Sequence, residues 1–354
     1  MRKLLTISAL MLVVQIAVNC SEDPTFDPDG IHQASDGPTP FYLEVPANFP
    51  DYFLDKDKRL TEEGIALGKK LFFDNILSKN RNVNCGSCHF QSSSFSDPRV
   101  RSIGTNGEAT TFHSMPLFNM AWMNEFFWNG RAKSREEQAL KPVVNPLEMD
   151  LSWDEAVSRL QEHPEYPVLF EAAFGTRTID SNLVAQALVQ YELTLVSANS
   201  KFDDWLKGEY ELTEMEAIGQ AIFNSERGDC FHCHGTVLTT DNLFHNNGLD
   251  SDEDLKPGLY DVTGNEADFG KFKTPTLRNL IFTAPYMHDG RFETIDEVID
   301  FYSDSVQNNR NVDVLMEFAF QGGVRLSPFE KEALKSFILL MTDSNFVQNP
   351  DLVP

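Results

Sequence analysis

The chain has 354 residues, 41% of them hydrophobic, which is enough apolar material for packed cores and too much for a disordered chain. A formal net charge of −25 excludes nucleic acid, whose phosphates would repel it, and argues against adhesion to anionic lipid. What remains open is an acidic surface that attracts basic partners, or a solvated face with no partner.

At the N-terminus, Arg2 and Lys3 precede an apolar run from Leu4 to Val18. The run is short for a membrane span and has the pattern of a secretory leader, placed at residues 1–19. Cys20 follows Ala17-Val18-Asn19 and reads as a lipid acceptor; ordinary leader cleavage, with Cys20 discarded or left free, is the alternative. Either way the chain is exported, with the periplasm as destination and membrane contact only through a lipid anchor. Residues 20–50, rich in Pro, Asp and Gly, read as a flexible tether.

From Thr61 onward the pattern is helical with long loops and almost no strand alternation, so the fold class is all-α. Capping boxes recur: Ser134 with Glu137, Ser152 with Glu155, Thr213 with Glu216 and Thr294 with Glu297; Ser327-Pro328 with Glu330 opens a last amphipathic helix through Leu340. Asn182 to Leu206 predicts one long helix linking two halves. Those halves repeat. Leu67-Gly68-Lys69-Lys70-Leu71-Phe72 leads to Cys85, and Ile218-Gly219-Gln220-Ala221-Ile222-Phe223 leads to Cys230. Asn129-Gly130-Arg131 and Asp289-Gly290-Arg291 each precede a helix cap at the same spacing.

Each half carries one C-x-x-C-H motif: Cys85-Gly86-Ser87-Cys88-His89 and Cys230-Phe231-His232-Cys233-His234. This pattern attaches haem c, the thiols of Cys85 and Cys88, or of Cys230 and Cys233, bonding the vinyl groups while His89 or His234 ligates iron. A zinc site, a redox pair or a disulfide would also use such cysteines. Zinc, however, brings paired motifs close, and these begin 145 residues apart. A redox pair needs neither the histidine nor a second copy.

The two Gly-Arg turns lie 160 residues apart, so Tyr302 corresponds to Pro142. A phenol oxygen can close a ferric iron; proline cannot. One iron is therefore expected closed by Tyr302 and the other open beside Pro142. Tyr302 as a core aromatic and Pro142 as a helix stop are the plain alternatives. Gln138 and Glu148 lie near the open site and could move protons there, or belong to solvated surface. Trp128, between Phe127 and the first Gly-Arg turn, could carry electrons between haems or simply pack in a core.

Together these residues resemble the bacterial dihaem cytochrome c peroxidase and MauG superfamily, from about Leu60 to Leu340. The resemblance rests on the segments already quoted and on Phe127-Trp128-Asn129-Gly130-Arg131, Glu148-Met149, Thr274-Pro275-Thr276-Leu277-Arg278-Asn279 and Ala284-Pro285-Tyr286-Met287-His288-Asp289-Gly290. It implies two cytochrome c-like domains, here 51–210 with the peroxidatic haem and 211–345 with the electron-transfer haem. It implies distal-pocket roles for Gln138, Pro142 and Glu148, and an inter-haem role for Trp128. It also implies one Ca2+ held partly by the carbonyls of Thr283 and Pro285, although the position of the family's Asn ligand is His113, a poor calcium ligand.

Two departures matter. Tyr302 stands where many members carry a Met ligand, which is the MauG-like choice. Thr105 stands where many carry a His that caps the first iron until reduction, so the site is expected ready without reductive activation; His113 is the nearby substitute to exclude. The expected function is reduction of hydrogen peroxide to water with electrons from a small c-type cytochrome or copper protein. A MauG-like oxidation of residues in a protein substrate is the alternative, and a purely electron-carrying dihaem cytochrome the third. A homodimer is the assembly the resemblance suggests.

Overall fold

The computed structural model describes residues 37–52 and 59–354. The leader, Cys20 and residues 20–36 of the expected tether lie outside the described residues. Residues 37–50 do not behave as a tether. Phe41 and Leu43 pack against the first core, Phe49 is buried edge-on against Trp122 with ring centroids 4.9 Å apart, and Thr39 Oγ1 donates to Glu63 at 2.8 Å. The apolar residues interspersed in this Pro-rich stretch bury against the core.

Most of the helices begin where the sequence offers a capping side chain; those at Tyr166–Phe174, Phe231–His234 and Tyr260–Thr263 do not. α1 (Glu62–Phe73) starts behind Thr61, whose hydroxyl accepts from Gly64 N–H. α2 (Arg135–Val144) and α3 (Trp153–Glu162) start behind Ser134 and Ser152, whose hydroxyls accept from Glu137 and Glu155 N–H, but the expected boxes are not closed: the Glu137 carboxylate accepts from Lys133 N–H and that of Glu155 from Arg159. They are followed by α4 (Tyr166–Phe174), α5 (Ser181–Leu193) and α6 (Lys201–Lys207). The second half contains α7 (Glu214–Phe223), the short α8 (Phe231–His234) and α9 (Tyr260–Thr263), then α10 (Ile295–Asp304), α11 (Pro328–Leu339) and α12 (Ser344–Gln348). The caps of α7, α10 and α11 are the expected reciprocal pairs of Thr213, Thr294 and Ser327 with a glutamate. The only sheet among the described residues is two residues long: β1 (Phe244–His245) runs antiparallel to β2 (Phe272–Lys273), pairing Phe244 with Lys273.

The single helix expected over Asn182–Leu206 is broken. α5 stops at Leu193, and Ser200 opens α6 with a capping box to Asp203. The intervening backbone is held from far away in sequence, because Asp343 Oδ2 accepts from Ser197 Oγ, Ala198 N–H and Asn199 N–H at 3.1 Å each. Asp203 in turn receives a buried two-pronged bond from Arg278, at 2.9 and 2.7 Å.

The internal repeat is visible as packing. In the first half α1 crosses α5 so closely that a Cβ on Gly68 would sit 1.9 Å from Ala187 O. In the second half α7 crosses α11 with the same gap, Gly219 against Ala333 O. Each crossing seeds one apolar core. The first holds Leu67, Leu71, Phe72, Leu188 and Tyr191; the second holds Ile222, Phe223, Leu334 and Phe337. Both lie within the unit formed by residues 37–354. The C-terminal segment returns to the first core: Phe346 packs on Phe95 and Phe118, and Tyr191 OH donates to Leu352 O at 2.6 Å.

Candidate active site

Two cavities open beside the two Cys motifs. The first, about 320 Å3, is walled by Cys88 and His89 and by Gln138, Pro142, Glu148, Arg131 and Trp128. The motif enters from a 3-10 turn over Cys85–Ser87, and Asn84 ties that turn to the end of α1 by donating to Phe73 O at 2.9 Å. His89 Nδ1 donates to Phe95 O at 2.8 Å. That bond fixes the tautomer and leaves the Nε2 lone pair for a metal. Burial also lowers the His89 pKa, so the ring is neutral and fit to ligate. Cys85 lies in the adjoining core rather than in the cavity wall.

α2 lines the same cavity. Gln138 is buried, and its Oε1 has no hydrogen-bond partner in a cavity-lining position. A buried amide oxygen left this way calls for a donor from a bound molecule. Pro142 replaces a helical N–H with an inert ring. Glu148 sits beyond the helix end, its Oε1 accepting from Asn145 Nδ2 at 2.6 Å. Burial raises its pKa, while the Arg131 charge and the Asn145 bond pull the other way. Arg131 itself is stacked 3.5 Å over the Phe127 ring.

The second cavity, about 220 Å3, is walled by Cys230, Cys233, His234 and Tyr302. His234 Nδ1 donates to Thr239 O at 2.8 Å, reproducing the arrangement at His89. Tyr302 is the eighth residue of α10, as Pro142 is the eighth of α2. The same offset pairs Gln138 with Val298, which also walls the second cavity. So the two sites share a scaffold and differ in chemistry, amide and proline in one, valine and phenol in the other. The Tyr302 hydroxyl accepts from Asn247 Nδ2 at 2.9 Å, and burial pushes its pKa up to about 12.

Trp128, His113 and Lys273 wall both cavities. Trp128 is buried, and its Nε1 donates to His113 O at 2.8 Å. The His113 ring is already engaged: Nδ1 donates to Arg99 O at 3.2 Å and Nε2 contacts Ser96 Oγ at 3.3 Å. Both ring nitrogens therefore have partners within the protein. Thr105 is absent from the walls of the first cavity. Its hydroxyl donates to Asn82 Oδ1 at 2.6 Å, and its N–H donates to Glu148 O at 2.7 Å. Thr283 and Pro285 line the second cavity.

The sequence of this chain is similar to known haem enzymes. Residues 62–211 match the model of the di-haem cytochrome c peroxidase family. The methylamine utilization protein MauG of Methylorubrum extorquens is 40% identical over 249 residues, 70% of this chain and 70% of that protein. The chain belongs to the di-haem cytochrome c peroxidase family. Another member, the cytochrome c551 peroxidase of Nitrosomonas europaea, is 36% identical over 66% of this chain and 71% of its own length. Among solved structures, a MauG-like protein associated with microbial copper homeostasis superposes with a TM-score of 0.81 at 31% identity, covering 88% of this chain and 98% of that one.

Membership in this family implies two haem cofactors and an oxidoreductase. The residues fit them. The four motif cysteines are free of disulfides and divide between the two halves, which suits two separate groups better than one shared metal. Burial pushes the Cys88 thiol up to about 11 and those of Cys230 and Cys233 to about 12, keeping them neutral. Sequence reasoning missed the residues that hold the site groups: Asn145 on Glu148, Asn247 on Tyr302, Arg131 beside Glu148, and Lys273 between the cavities. Two of these left a local signal: Asn145, an Asn three residues before a Glu, and Arg131, in the repeated Gly-Arg turn.

Proposed function

We propose that this protein reduces hydrogen peroxide to water, taking electrons from a small c-type cytochrome or copper protein. The observation that carries the reading is the asymmetry of two matched cavities. Each has a histidine pinned through Nδ1, but only the second also has a tyrosine in its wall. Haem c, joined through Cys85 and Cys88 in the first cavity and Cys230 and Cys233 in the second, would supply the redox-active iron at each. His89 and His234 would each hold one iron, and Tyr302 would offer its hydroxyl oxygen to the iron in the second cavity. Pro142, at the helix position that Tyr302 holds in the second half, offers no ligand atom of its own. Gln138 offers its unpartnered amide oxygen to the bound peroxide. Glu148, held by Asn145, accepts a proton from one peroxide oxygen and returns it to the other as water leaves. Overall, one peroxide, two protons and two electrons give two waters. Trp128 bridges the two cavities.

A MauG-like reading has its own support, Tyr302 in the second cavity, and the 40% identity to MauG. There the electrons would come from residues of a protein substrate. Steady-state peroxide turnover with reduced cytochrome c separates the two: rapid oxidation of the cytochrome supports the peroxidase, and failure to turn over with the protein fully haem-loaded supports the MauG-like enzyme.

The leader pattern adds export to the periplasm with a lipid on Cys20. No helix among the described residues is long and apolar enough to cross a membrane. Thr283 and Pro285 offer carbonyl oxygens to a calcium ion; with the His113 ring engaged, water would have to supply further ligands. A homodimer rests on the family resemblance.

A further inference from the structure

Lys273 is the only lysine in the walls of either cavity among the described residues, and it walls both. It is 3% exposed. Its ammonium donates to the backbone carbonyl of Glu125 at 2.6 Å and pairs with no carboxylate among the described residues. The nearby Glu125 carboxylate is taken by Lys133 at 2.9 Å. A buried ammonium satisfied by a single carbonyl is costly unless a counter-charge arrives. Burial pushes its pKa down to about 8, with the Glu125 charge opposing. The residue is also rigidly placed: it lies in β2, and its N–H donates to Trp128 O at 2.8 Å.

Each haem of the proposed enzyme brings two carboxylates on its propionates. Glu125 and Phe126, whose ring centroid lies 5.7 Å from the ammonium, wall the first cavity and not the second. The ammonium therefore leans towards the first cavity. We propose that Lys273 is the counter-cation for a propionate of the first haem and thereby sets that haem's reduction potential. Lys273 is a positioning residue, and its assignment rests on the two-haem reading above. A fixed positive charge near the iron favours the ferrous form, so its removal should favour the ferric form.

The experiment is spectroelectrochemical titration of wild type, Lys273→Met and Lys273→Arg, after the haem content per chain has been counted. Fewer than two haems in wild type overturns the two-haem reading and this assignment with it. With two haems present, Lys273→Met should shift the ferric-to-ferrous ratio of the first haem about tenfold towards ferric at the wild-type midpoint. Lys273→Arg should stay near wild type, and the second haem should move less. An unchanged first haem in Lys273→Met, or a shift confined to the second, overturns the assignment while leaving the haem count intact. If Lys273→Met does not load haem, wild type carrying 15N-labelled lysine decides. Lysine ammonium bands should appear in the redox-difference infrared spectrum of the first haem, and their absence overturns the assignment.

Discussion

Replacing Gly68 by alanine tests the crossing that carries the first Cys motif. The new Cβ would lie 1.9 Å from Ala187 O and 3.0 Å from Tyr191 Cβ. An ordinary carbon–oxygen contact is about 3.3 Å, so α1 and α5 must separate by roughly 1.4 Å. Alanine gains up to about 1 kcal/mol of helix propensity over glycine. Overpacking costs about 1–3 kcal/mol, and a clash with backbone, which cannot rotate aside, belongs at or above the top of that range. The net loss should be about 2 kcal/mol or more. Gly219 meets Ala333 O at the same 1.9 Å, so Gly219→Ala should lose a similar amount from the second half. Gly208→Ala is the control: at φ +78° in open space it carries only left-handed strain, about 1 kcal/mol. Urea denaturation of the haem-loaded proteins, followed by circular dichroism and haem absorption, reads these losses as midpoint shifts. Midpoints at wild type for Gly68→Ala or Gly219→Ala would refute the repeated crossing.

Glu148→Gln should slow the reaction with peroxide by about 10²–10⁴-fold in stopped-flow mixing with both haems retained, and an undiminished rate would place the proton path elsewhere. Burial raises the Glu148 pKa, and the carboxylate is the form that accepts the proton. The wild-type rate should therefore fall as pH drops through a value above that of an ordinary glutamate. Arg131→Met removes a charge that lowers this pKa and should move the acid limb upward; a limb that stays put removes Arg131 from the site's electrostatics. Tyr302→Phe should change the ferric absorption spectrum of the second haem, and an unchanged spectrum removes Tyr302 from the ligand set. Arg278→Met strands the buried Asp203 carboxylate and should cost about 3–5 kcal/mol in the denaturation assay, whereas a loss under about 1 kcal/mol would show that the pair does not hold α6.

What was legible in the sequence is what local chemistry decides. Ser134, Ser152, Thr213, Thr294 and Ser327 marked five helix starts because a cap and its partner sit three residues apart. The 160-residue offset placed Pro142 and Tyr302 at equivalent positions of α2 and α10 because the repeated module kept its helix length. What was hidden depends on partners distant in the chain. The break after Leu193 is held by Asp343, which no window around Thr194 contains. Residues 37–50 read as a tether because Pro, Asp and Gly outweigh Phe41, Leu43 and Phe49, yet those few apolar side chains dock the segment. Lys273 was overlooked because a lysine beside a Thr-Pro turn reads as surface until both cavity walls are assembled around it.

The asymmetry of the two cavities is tested most directly by the electron paramagnetic resonance spectrum of the ferric, haem-loaded protein, before and after one equivalent of hydrogen peroxide. One high-spin centre that vanishes on mixing, beside one low-spin centre, is the predicted result. Two low-spin centres that ignore peroxide would contradict it and leave an electron carrier.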